Sequence, residues 1–156
     1  MKISSNFDSG NIKVIDATDP LNIQLEINND HNSEFYQWFH FRLETTPYQL
    51  HKLNINQLEK SAYPDGWEGY QAVASYDRQT WFRVPSNYEN GTLSFEIEPE
   101  CGSVYFAYFA PYSYDRHLDL LSWAQTQGAC QLQTLGETLD GRDMSVLKIG
   151  EPSEDK

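Results

Sequence analysis

At 156 residues, with 39% apolar side chains and a mean hydropathy of −0.65, the chain can bury roughly two-thirds of its unfolded surface without disulfides or metal to staple it. Its formal charge of −12 opposes a hold on phosphate backbones, which takes clustered Lys and Arg, and this argues against nucleic acid as a partner. No run of 18 apolar residues is present to cross a membrane, and Met1-Lys2-Ile3-Ser4-Ser5 lacks the apolar centre of a signal peptide, which points to the cytoplasm.

Aromatic residues make up 14% of the chain, a proportion that favours sheets, because rings pack well on a pleated, half-buried surface. Cys101 and Cys130 are the only cysteines and are expected to stay reduced in a cytosolic chain. In residues 11–17, Ile12, Val14 and Ala17 oppose Lys13 and Asp16, with Ile15 breaking the alternation. Residues 21–27 give a cleaner strand, Leu21, Ile23, Leu25 and Ile27 against Asn22, Gln24 and Glu26. Asp8-Ser9-Gly10-Asn11 and Asp19-Pro20 supply turns.

After a polar turn at residues 28–33, residues 34–45 read as one long central strand. Phe39, Phe41 and Leu43 lie on one face, and His40, Arg42 and Trp38 on the other. Residues 48–55 alternate again and are expected to pair with that strand. A loop with at most one helical turn, near residues 57–60, covers 56–69. Strands over 70–76 and 80–84 are joined by Asp77-Arg78-Gln79, and Asn90-Gly91 turns the chain into a strand over 92–98. The unbroken apolar run from Val104 suits a strand buried on both faces, ended by Pro111.

Eight or nine short strands before any convincing helix predict two antiparallel sheets packed face to face. The period then changes. Ser113 is placed to cap a helix over residues 113–127, which carries Leu118, Leu121 and Gln125. Strand-like runs at 129–135 and 144–149 follow, separated by a Gly-containing turn. This order suits the opening of an α/β domain, so the expected organisation is a sandwich over residues 1–111 and the start of a second domain over 112–156. The polar tail, 151–156, is expected to fray.

Two blocks, Trp38-Phe39-His40-Phe41-Arg42 and Tyr105-Phe106-Ala107-Tyr108-Phe109-Ala110-Pro111-Tyr112-Ser113-Tyr114, resemble the cytosolic carboxypeptidases. These are zinc exopeptidases of the carboxypeptidase A type with an extra β-sandwich before the catalytic domain. A third block, residues 135–150, is similar to the first hairpin of carboxypeptidase domains generally. The resemblance implies an enzyme that removes C-terminal residues from peptides or proteins, with zinc held by a His-x-x-Glu pair and a later His beyond Lys156. It further implies that residues 1–156 alone are inactive and zinc-free, and that their partner is the enzyme's own C-terminal catalytic domain.

Local chemistry gives few rivals. His31-Asn32-Ser33-Glu34 has the His-x-x-Glu spacing but sits in a polar turn, where solvation is the expected role. His40, His51 and His117 are dispersed and read as surface or packing histidines. Neither Ser86 nor Ser103 lies in a nucleophile elbow. Tyr112, Tyr114 and Arg116 form the strongest candidate cluster, suited to interdomain packing or to lining a substrate cleft, because Tyr pairs an apolar body with a polar tip and Arg forks to carboxylates. The alternative class is a free-standing sandwich module that captures carbohydrate or a protein partner through exposed aromatics and edge strands. Unpaired strand edges near residues 144–149 would also favour a homo-oligomer.

Overall fold

A computed structural model describes residues 1–150; the tail 151–156, expected from sequence to fray, lies outside the described residues. Contacts divide the chain into two compact units, Met1–Pro111 and Tyr112–Lys156.

In the first unit the strands run in chain order as β1 (Lys2–Ser4), β2 (Lys13–Asp16), β3 (Ile23–Glu26), β4 (His40–Glu44) and β5 (His51–Asn56). Two 3-10 turns, Leu58–Lys60 and Pro64–Trp67, precede β6 (Val73–Ser75) and β7 (Phe82–Arg83). Then come β8 (Ser86–Glu89), β9 (Thr92–Ile97) and β10 (Ser103–Ala107). They form two five-stranded sheets, ordered β1-β4-β10-β6-β7 and β2-β3-β5-β9-β8. The result is a β-sandwich whose pairings are antiparallel except for β3 with β5.

Strand alternation places the core. Ile23 and Leu25, Leu53 and Ile55, and Leu93 and Phe95 turn inward from the second sheet, against Phe41, Leu43, Val104 and Phe106 of the first. Phe106 bridges the layers, 5.3 Å from Phe95 of the second sheet, and stands 5.2 Å from Phe41 beside it in the first. Burial of this size is what supplies the main drive to fold.

Several sequence expectations need correction. The strand of residues 34–45 starts only at His40, because the preceding stretch is tied down by side chains. Gln37 binds the Tyr63 backbone, the Tyr36 hydroxyl donates to Gln57 C=O, and Trp38 Nε1–H donates to Ser9 C=O at 2.7 Å. β5 pairs with β3 and β9 rather than with β4, so the chain crosses from one sheet to the other and back. The loop of residues 56–69 holds two 3-10 turns, and β8, unrecognised in the sequence, precedes the Asn90-Gly91 turn. That turn has φ of 50° and 76°, as a two-residue hairpin requires. β10 is not buried along both faces: Val104 and Phe106 turn inward, while on the outer face Ala107 is buried but Ser103 and Tyr105 are only half-buried.

In the second unit α1 (Tyr114–Gln125) is capped by Ser113, whose Oγ accepts from Arg116 N at 3.3 Å. Its buried residues are Leu121 and Ala124, while Leu118 is exposed. The hairpin β11 (Cys130–Glu137) and β12 (Asp143–Ile149) follows, antiparallel, with a bulge at Gly136. Among the described residues no helix is long and apolar enough to cross a membrane.

Candidate functional site

Tyr112, Tyr114 and Arg116 come together at the start of α1. Ser113 sets the helix entry in extended conformation, so the residues on either side of it fall around the first turn. The Arg116 guanidinium lies 5.6 Å from the Tyr112 ring centroid, a cation–π contact. His117 stands 6.2 Å from both Tyr112 and Tyr114, ring to ring, and Arg142, from the turn between β11 and β12, sits 4.6 Å over the Tyr114 ring. The arrangement is therefore two tyrosines, each faced by a guanidinium, with an imidazole between them. Such a cluster can stack on a flat group or accept a carboxylate; it supplies no activated nucleophile.

Sequence reasoning missed two members. His117 reads in sequence as an isolated histidine, although it lies one residue from Arg116 on the same first turn. Arg142 is 26 residues beyond Arg116, and only the hairpin's return brings it close; the block shared with carboxypeptidase hairpins was the signal that could have pointed to it.

Elsewhere the candidates stay apart. His31 and Glu34 occupy the turn before β4, His51 lies buried in β5, and His40 is enclosed on the outer side of β4. Among the described residues no three His, Cys, Asp or Glu converge to hold a metal ion, so these residues do not fit a zinc site. A groove of about 620 Å³ on the outer side of the second sheet is lined by Lys52, Ser86, Asn87, Glu89, Ser94 and Glu96 among others. Its one ring, Phe95, is buried, so the groove lacks the flat exposed platform on which a sugar would stack.

Residues 3–109 match the family model described as the cytosolic carboxypeptidase N-terminal domain. A putative carboxypeptidase A from Shewanella denitrificans is 51% identical, with a TM-score of 0.95 over 100% of this chain and 42% of that one. A metallo-carboxypeptidase from Burkholderia cenocepacia is 41% identical, with a TM-score of 0.94 over 99% of this chain and 41% of that one. Human cytosolic carboxypeptidase 2 is 30% identical over 177 residues, covering 96% of this chain and 19% of that protein. The chain thus spans about two-fifths of the bacterial structures it matches and about a fifth of the human protein. With the family match lying wholly within the ten-stranded sandwich of residues 1–111, the chain belongs to the family of cytosolic carboxypeptidase N-terminal domains.

Proposed function

We propose that this chain is the N-terminal region of a zinc metallocarboxypeptidase that hydrolyses C-terminal residues of peptides or proteins in the cytoplasm. Residues 112–150 begin the catalytic domain, and the sandwich supports its folding and shapes access for the substrate's C-terminus. The observation that carries this reading is likeness across the whole chain, second unit included, to a putative carboxypeptidase A more than twice as long.

The second unit's surface supports it. Leu118, Leu120 and Trp123 of α1 are exposed, as are Leu132, Leu135 and Ile149 of the hairpin, Trp123 to 61%. Apolar side chains at this density mark a surface that another folded body covers. The remainder of the catalytic domain is that body, and Tyr112, Tyr114 and Arg116 are the candidates for interdomain packing or for lining its cleft.

The test is to mix the 156-residue chain with the separately produced remainder of the Shewanella protein and follow complex formation, zinc content and release of C-terminal amino acids by mass spectrometry. The chain alone is expected to bind no stoichiometric zinc and to release nothing, and the mixture to associate. Stoichiometric zinc or robust hydrolysis by the chain alone overturns the reading. Self-association without any affinity for the remainder would instead favour a homo-oligomeric binding module.

A further inference from the structure

His40 is only 1% exposed, yet it lies on β4 between Phe39 and Phe41, whose side chains enter the core. Alternation along the strand sends its imidazole to the outer face of the first sheet, where it would ordinarily meet water. Two other parts of the chain roof it over. The first is the N-terminal segment: the Phe7 ring stands nearly perpendicular at 4.8 Å, Ser9 Oγ lies 3.0 Å from Nδ1, and Asn11 exchanges both backbone hydrogen bonds with His40. The second is the turn between β6 and β7. Trp81 lies 5.8 Å away ring to ring, and the Arg78 guanidinium sits over Phe7 at 5.8 Å and over Tyr105 at 5.5 Å.

We propose that His40 is a proton-operated latch, which as neutral imidazole holds residues 7–11 and the 77–81 turn against the outer face of the first sheet and on protonation releases both. Nε2 is buried with no hydrogen-bond partner. A neutral ring tolerates that position, but a charged ring would place an unanswered N–H and a positive charge inside an aromatic enclosure.

The charges around the ring come from every packed element. Asp8 belongs to the N-terminal segment and Arg78 to the turn, beside Asp77, whose carboxylate is occupied by Ser75, Gln79 and Thr80. Tyr105 stands on β10, and Arg42, two residues along β4, is paired with Glu44 at 3.4 Å. Burial, followed by Arg78, holds the imidazole down at about 4, against the opposing pull of Asp8. In a released segment the ring titrates near 6.5. The held state therefore keeps its full advantage above pH 6.5 and loses it progressively as the pH falls towards 4, because only the released state takes up the proton. By pH 4.5 the release equilibrium rises on the order of 50-fold over its value at pH 7.5.

Hydrogen exchange on the full chain, corrected for intrinsic rates, tests this at pH 7.5 and 4.5. Wild type is expected to lose protection on the order of 50-fold at residues 7–11 and 77–81 while β9 stays protected, and His40→Gln to show no such pH response. An NMR titration of the wild-type imidazole decides the matter should that variant fail to fold: titration near 4 supports the latch. The same pH response in His40→Gln, or an imidazole titrating near 6.5, overturns it.

Discussion

Trp67 is the largest of the fully buried side chains, and its environment allows a magnitude to be worked out. Its indole lies nearly parallel to Phe39 at 6.4 Å and near-perpendicular to Tyr70 and Tyr108 at 5.2 Å. Nε1–H donates to Ser61 Oγ at 2.8 Å, and that hydroxyl donates onward to Leu58 C=O at 2.8 Å. Trp67→Phe leaves a void of a few tens of Å³, costing about 1 kcal/mol at ~24 cal/mol per Å³, with a similar sum for the lost transfer of the smaller ring. The missing hydrogen bond adds about 1 kcal/mol, for a total of about 3 kcal/mol. Ser61→Ala strands a buried indole N–H and is expected to cost about 1–3 kcal/mol. Because both changes break one bond, the double variant should lose about 1 kcal/mol less than the two singles together. Urea unfolding followed by circular dichroism measures all three, with Trp38, Trp81 and Trp123 as remaining fluorophores. Additivity within about 0.3–0.5 kcal/mol would refute the coupling assigned to this bond.

Other perturbations isolate single features. Gly91→Ala places a side chain at φ 76° in the β8–β9 turn, with its Cβ against the movable Glu59 carboxylate; thermal unfolding should show a loss of about 1 kcal/mol, mostly backbone strain. Ser113→Ala removes the cap of α1 and is expected to cost about 1 kcal/mol, seen as faster amide exchange in residues 114–117 with the sandwich unchanged. The Asp77 carboxyl is held at about 2 by the Thr80 and Gln79 backbone N–H groups, with Ser75 adding to them. The stability it contributes is complete above about pH 3.8 and is lost as the pH falls through 2, so Asp77→Asn should flatten the acid limb in that window, as read by a carboxyl carbon NMR titration and unfolding at each pH.

Alternation made the sandwich readable. Ile23, Leu25, Leu53, Ile55, Leu93 and Phe95 all turn inward as period two requires, and Ile15, which broke the pattern, falls where β2 slips register against β3. The helix cap at Ser113 and the Asn90-Gly91 turn were equally visible, because each demands a particular local chemistry. Partner choice was not. Nothing in residues 48–55 records that they run parallel to β3, since inward-facing Leu and Ile suit either sheet. Nor does alternation reveal that His40, on an outer face, is enclosed: its roof comes from residues 7–11 and 77–81, far away in the chain on either side. Of the Tyr112 cluster, Tyr112, Tyr114 and Arg116 are legible in sequence, while His117, which reads as an isolated histidine, and the long-range Arg142 in its turn are not.

The order of the first sheet also bears on biosynthesis. β10 sits in its middle, between β4 and β6, although it is the last strand of the unit to leave the ribosome. Until Ala107 has cleared the exit tunnel, the β1-β4 ribbon and the β6-β7 ribbon share no backbone ladder, and their apolar faces wait uncovered. A translational pause before β10 has emerged would thus prolong an aggregation-prone nascent chain, whereas a pause once residue 111 has cleared the tunnel would leave a finished sandwich.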